Sequence, residues 1–367
     1  MRRVSTPDES LTADDGFLPF DEHGLAYPFG GQVPQPGELR DIVPGVRWTR
    51  LPLHGSLGHI NLWLLDDGDG VAVVDTGMRQ KSSFETWETL LAGPLAGVRI
   101  TRIFATHFHP DHTGMAGWLG ARFDARLWMT REEWLTIRML TGPSESAQIG
   151  AFERRWRYVG WDDAVITQMR EDARPDFNAI VTPLATEFVR ICDGDLIAIG
   201  DAQWRVVVGH GHSPEHGCLW NEEAGVLIAG DQILPKISSN VSVVTSEPEG
   251  DPLRDWLASI DRFLELPEDT LVLPAHGEPF KGMHARLRRL RDQHLERLEV
   301  LADFIATPRR VVDCFETLFR RGPEAFKGFN RELAVGETLA HLRRLILSDR
   351  AQVSEQDGVA WFSAAVN

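Results

Sequence analysis

Cysteine is scarce in this chain. Its 367 residues hold three, Cys192, Cys218 and Cys314, odd in number and far apart, which argues against a disulfide framework and fits a reducing compartment. Long apolar runs are missing as well. No stretch approaches the roughly 18 residues of a spanning helix, and Arg2-Arg3 is followed by no apolar segment, so neither a membrane span nor an export signal is read. A soluble, cytoplasmic protein with no membrane partner is the expectation. Basic residues are also in deficit, with 38 Lys and Arg against 54 Asp and Glu. The deficit is uneven: residues 1–284 hold 24 basic against 42 acidic side chains, residues 285–367 hold 14 against 12. The acidic part repels polyanions, so nucleic acid is disfavoured as a partner and a small-molecule substrate is expected.

What is present is ample apolar content, 43%, and a length that suits one large domain with a smaller one. Residues 1–44, polar and rich in Pro and Gly, read as an irregular N-terminal extension. Short β-rich runs follow at Val46–Leu53, Asn61–Leu65 and Val71–Val74, the last ending in Asp75-Thr76-Gly77. Phe84, Trp87, Leu90 and Leu91 give helical spacing over 79–96, and Val98–Ala105 returns as a strand.

That strand runs into His107-Phe108-His109-Pro110-Asp111-His112, four metal-competent side chains within six residues. In an extended segment side chains repeat with period two, so His107 and His109 are expected on one side, gripping one ion. Pro110 takes the chain out of regular pairing, so Asp111 and His112 are expected to reach a second ion about 3.5–4 Å away.

Further along come Gly209-His210-Gly211-His212 with His216, then Gly230-Asp231, then Pro274-Ala275-His276-Gly277, each after a strand-like run. Taken in this order, with Asp75-Thr76-Gly77 first, the motifs resemble those of the metallo-beta-lactamase superfamily across residues 45–283. The resemblance implies an α/β fold, the αββα sandwich of two mixed sheets with helices outside and metals at one edge. It implies His107, His109 and His212 on a first ion, Asp111, His112 and His276 on a second, and Asp231 bridging both. Asp75 is then a supporting residue for the histidine loop, His216 a loop-fixing one, and His210 holds no metal. Asp111 and Asp231 are the residues expected to matter catalytically. Aspartate at 231, where common true beta-lactamases carry cysteine, points to the glyoxalase II, lactonase and ribonuclease branches.

Five histidines and two aspartates without a thiolate suit two zinc ions, with iron or manganese as the alternative. The expected chemistry is hydrolysis of a small-molecule thioester, ester or lactone by a hydroxide held between the ions. The competing readings are a lactamase-like ribonuclease, a mononuclear iron sulfur dioxygenase and a metal-free interaction protein. Residues 130–177, with Trp134, Trp156, Tyr158 and Trp161, read as a helical insertion that either packs onto the core or forms an apolar lid. Arg154, Arg155 and Arg157 read mainly as a solvated face. From 285 to 367, helices over 285–305, from Pro308 to Phe319 and over 333–347 precede a hairpin turning at Asp357-Gly358. This order resembles a winged-helix module. Its near neutrality favours packing or homodimerisation over nucleic-acid binding.

Overall fold

The computed structural model describes residues 20–55, 57–142, 145–171 and 176–365. Residues 1–19 of the expected N-terminal extension and 143–144 and 172–175 of the expected insertion lie outside them. Two sheets face each other. The first has seven strands in sequence order: β1 (Arg40–Val43), β2 (Val46–Pro52), β3 (His59–Asp67), β4 (Gly70–Val74), β5 (Arg99–Phe104), β6 (Arg126–Met129) and β7 (Val189–Arg190). β1 to β4 form an antiparallel meander and β4 to β7 run parallel. The parallel steps need crossovers, and helices supply them: α1 (Lys81–Ala92) before β5, and α2 (Pro110–Thr113) with α3 (Ala116–Phe123) before β6. The crossover to β7 carries α4 (Arg131–Leu140), α5 (Glu145–Tyr158), α6 (Asp163–Glu171) and α7 (Phe177–Ile180).

The second sheet has the order β12-β11-β10-β9-β8, from β8 (Leu196–Ile199), β9 (Ala202–Gly209), β10 (His216–Asn221), β11 (Val226–Gly230) and β12 (Leu271–Pro274). Only β11 and β12 are parallel, joined through α8 (Pro252–Phe263), whose start is capped by the Asp251 carboxylate accepting from the Arg254 amide.

Strand periodicity explains the layers. On β3 and β4, Leu62, Leu64, Val71 and Val73 point outward into a cluster with Trp87, Leu90 and Leu119 of α1 and α3. Trp63, Leu65, Ala72 and Val74 point inward and meet Trp204, Val206, Leu219 and Ile228 of the second sheet. Burying each such Leu or Val contributes on the order of 1.5–3 kcal/mol, so a one-residue register slip, which swaps these faces, is strongly disfavoured.

The C-terminal segment adds α9 (Met283–Phe304), α10 (Phe315–Phe319), α11 (Phe329–Ile346) and a hairpin of β13 (Ala351–Gln356) and β14 (Val359–Ala364). Leu287, Leu290 and Leu301 of α9 and Leu339 and Leu342 of α11 share one cluster with Trp256 and Ile260 of α8 and with Leu227 and Val272 of the second sheet. The C-terminal helices therefore continue the outer layer of that sheet. The helix expected to start at Pro308 begins later, because Arg309 exchanges backbone hydrogen bonds with Phe362 of the hairpin at 2.9 and 2.8 Å. Among the described residues, no helix is long and apolar enough to cross a membrane.

Candidate metal centre

The loops carrying the motifs converge at one edge of the facing sheets. β5 ends at Phe104, and residues 106–109 are bends rather than extended strand, with Pro110 at the first position of the one-turn helix α2. The reason His107 and His109 converge is thus not strand alternation. The loop is folded back, and their ring nitrogens Nε2 and Nδ1 lie 2.7 Å apart. His112 and Asp111 sit in the first turn of α2. His212 follows β9, Asp231 follows β11 and His276 follows β12.

Two groups of ligand atoms result: His107, His109, His212 and Asp231 in one, Asp111, His112 and His276 in the other. His107, His112, His276, Asp111 and Asp231 are buried, while His109 and His212 are half-buried. Asp231 stands between the groups. Its Oδ1 lies 3.4 Å from His276 Nε2 and 3.6 Å from His112 Nε2, and its Oδ2 lies 3.5 Å from His212 Nε2. Asp111 Oδ2 lies 3.4 Å from His276 Nε2 and 3.6 Å from His112 Nε2.

These separations test whether metal fits. They are long for hydrogen bonds, and His112 Nε2, His276 Nε2 and Asp231 Oδ1 are buried without a hydrogen-bond partner among the described residues. Four ligands about 2.0–2.1 Å from a zinc ion in a tetrahedron stand roughly 3.3–3.4 Å from one another. The observed spacing is close to that of atoms sharing a cation, so the residues present fit divalent metal.

The far side of each ring fixes its orientation. His112 Nδ1 donates to Asp75 at 2.9 Å, His212 Nδ1 to the Asn240 carbonyl at 2.9 Å and His276 Nδ1 to the His59 carbonyl at 2.7 Å. Because carbonyls and carboxylates only accept, the proton resides on Nδ1 and the Nε2 lone pair faces the cluster. The Asp75 carboxylate also accepts from the Thr106 amide at 2.9 Å, tying the end of β4 to the histidine loop. His107 Nδ1 lies 3.1 Å from the Thr106 hydroxyl.

Burial, reinforced by the neighbouring histidines, pushes His107 well below the usual imidazole range. For His112 burial acts the same way, but Asp75, Asp111 and Asp231 outweigh it and hold the ring well above that range. Burial opposes ionisation of Asp231, yet His276 and His112 keep its carboxyl well below the ordinary value. The carboxylates thus favour positive charge at the ring nitrogen of His112 that faces them, a place a divalent cation would fill instead of a proton, with little water to screen it.

Among the residues around the ligands, Glu133 and His59 carried no sequence signal. Glu133 of α4 is fully buried and accepts from the Ser213 hydroxyl at 2.7 Å, the Glu215 amide at 2.7 Å and the Phe108 amide at 2.9 Å, pinning the His107 loop to the His212 loop. His59 accepts from the Gly277 amide at 3.0 Å, and burial, with Arg50 and His276 nearby, lowers it to about 4, so it stays neutral. His216 stacks on His107 with ring centroids 4.8 Å apart and accepts from the Asp231 amide at 3.1 Å. Gly230 must be glycine: its φ is +50°, and a Cβ there would lie 2.5 Å from the His216 ring. His210 turns away, bonding the Pro214 carbonyl at 2.6 Å.

In the insertion, Trp134 stacks on Phe188 and belongs to the outer cluster of the first sheet. Trp156 is buried with Ile166 and Met169, and its indole donates to Glu332 at 2.6 Å. Arg155 donates to the Val243 carbonyl at 2.6 Å and Arg157 pairs with Asp163 at 3.0 Å, so Arg155 is engaged with the fold rather than solvated.

A buried His/Asp cluster of this build, at the edge of two facing mixed sheets flanked by helices, defines an α/β protein suited to divalent metal. The chain belongs to the metallo-beta-lactamase superfamily, whose family pattern it matches over residues 55–276, and residues 298–365 match the metallo-beta-lactamase-like C-terminal domain. A crystal structure of a beta-lactamase domain protein from Burkholderia ambifaria is similar at 36% identity, covering 93% of this chain and 99% of that one with a TM-score of 0.81. A metallo-beta-lactamase family protein from Thermus thermophilus is similar at 27% identity, covering 88% and 100% of the two chains with a TM-score of 0.74. Among curated proteins, the acyl-coenzyme A thioesterase MBLAC2 of Gallus gallus is 27% identical over 269 residues, 70% of this chain and 86% of that protein.

Proposed function

We propose that the protein is a binuclear metal-dependent hydrolase, with zinc as the ion, that cleaves a small-molecule thioester, with esters and lactones as chemically related substrates. The observation that carries this reading is Asp231, whose two carboxylate oxygens face different histidine groups, Oδ1 toward His112 and His276 and Oδ2 toward His212. A single carboxylate so placed can hold two cations close together. Bound divalent ions would supply a water acidic enough to ionise near neutral pH and a Lewis acid for the carbonyl under attack.

The chain's own residues do the rest. His107, His109 and His212 would hold one ion, and Asp111, His112 and His276 the other. Asp111 and Asp231 supply the negative charge that neutral imidazoles on either side cannot. Asp75, Asn240 and His59 keep the ring lone pairs aimed inward. The similarity to an acyl-coenzyme A thioesterase supports thioester over lactam as the bond attacked. The test is release of free thiol from short- and long-chain acyl thioesters, with a cephalosporin and an ester alongside. Thiol release that is lost on chelation and restored by zinc supports the reading. Absence of hydrolysis in zinc-loaded protein, or turnover that consumes oxygen, contradicts it.

A further inference from the structure

One ligand of the proposed centre is oriented by a segment between β11 and α8 that the C-terminal helices hold in place. His212 donates to the backbone carbonyl of Asn240, and the strip of chain holding that carbonyl is docked on the C-terminal helix α11. The Asn240 side-chain amide donates to the Glu337 carboxylate at 3.1 Å and to the Leu333 carbonyl at 3.3 Å. Three residues on, the Val243 amide donates to the Gly336 carbonyl at 3.1 Å. Gly336 allows this approach, since a Cβ there would fall 2.5 Å from the Ser242 hydroxyl and 2.6 Å from its Cβ. Glu337 is itself buried, and its other oxygen accepts from Arg297 of α9 at 2.8 Å. Two C-terminal helices therefore grip the one segment whose carbonyl sets the tautomer and aim of His212.

We infer that Asn240 and Glu337 are positioning residues for the metal ligand His212, so that the C-terminal module is a working part of the metal centre and not only a packing layer. The inference rests on the binuclear reading above. A hydrogen bond made directly to a ligand, such as that from His212 to the Asn240 carbonyl, is worth about 10–100-fold in metal affinity. Glu337→Gln keeps the size but turns one acceptor into a donor facing the donor on Asn240. Asn240→Asp sets two carboxylates against each other. The double variant Asn240→Asp/Glu337→Gln restores the donor–acceptor pair between these two positions with the roles exchanged, though not the donation to the Leu333 carbonyl.

The experiment is competition of zinc-loaded full-length protein with a chromophoric chelator, alongside thermal melts of the metal-free forms. Each single variant, acting on that hydrogen bond at one remove, is expected to weaken one of two zinc ions by up to about 10-fold and leave the other unchanged, and the double variant to recover part of the loss. Asn240→Ala, which removes the tether at a half-buried position, gives the same comparison where Glu337→Gln does not fold. Wild-type zinc affinity in every folded variant, with only the melting temperature lowered, would overturn the inference while leaving the binuclear reading intact. Wild-type protein that binds no zinc would overturn that reading and this inference with it.

Discussion

Replacing Asp231 by asparagine probes the arrangement with the least change of shape. The carboxylate oxygens lie 3.4 and 3.6 Å from His276 and His112 on one side and 3.5 Å from His212 on the other. An asparagine offers one oxygen and one amide nitrogen that cannot ligate. Whichever way it turns, one histidine group faces an NH2, and the negative charge shared by both groups is gone. Loss of one preorganised electrostatic partner at a reacting centre costs about 10²–10³ in turnover, roughly 3–4 kcal/mol. The expected result is weakened retention of one ion on dialysis, read by elemental analysis, together with a fall in kcat for thioester hydrolysis of at least about 10²-fold. Because the side chain keeps its volume, the fold should persist, which circular dichroism checks. Two retained ions with near-normal kcat would show that Asp231 does not span the site, and the argument from its two oxygens would fail.

Asp75→Ala removes the acceptor for His112 and for the Thr106 amide in a fully buried position, so it should lower stability by about 2–4 kcal/mol in denaturant titration and loosen the ion proposed on Asp111, His112 and His276. Trp156→Ala should cost about 3–5 kcal/mol through lost packing on Ile166 and Met169 without changing metal content; a change in acyl-chain preference at unaltered stability would instead favour the lid. Asp67 is held at about 2, burial being outweighed by hydrogen bonds from Arg102, Thr101 and the Gly200 amide. A depressed carboxylate stabilises the fold above its unfolded value near 4 and loses that contribution as pH falls toward 2. Asp67→Asn should therefore reduce stability by about 1–2 kcal/mol at pH 6, after allowing for solvent screening, and by much less at pH 2.5. A difference that does not shrink across that window would refute the assignment.

The seven candidate ligands were legible because each follows a strand and carries a side chain whose chemistry is its signal. The structure brings the seven side chains together at one edge of the sheets, although for His107 and His109 the expected route was wrong: a folded-back loop and a one-turn helix, not an extended segment, bring the rings together. What holds the ligands was largely hidden. His212 and His276 are oriented by backbone carbonyls of Asn240 and His59, and a carbonyl has no residue identity to read. Glu133 has no signal in the sequence, because only tertiary packing buries it against two metal-loop amides. The C-terminal segment was readable as helices and a hairpin from apolar spacing and Asp357-Gly358, but not its seam with the second sheet. That seam depends on Leu287, Leu339 and Trp256 meeting across distant parts of the chain.

Zinc titration of chelator-stripped protein, followed by elemental analysis and thiol release from an acyl thioester at each step, tests the central claim most directly. The account predicts two ions per chain, activity that rises with their binding, and loss of one ion together with activity in His107→Ala. A chain that saturates with one ion or none, or that hydrolyses the thioester equally well when stripped, would contradict it.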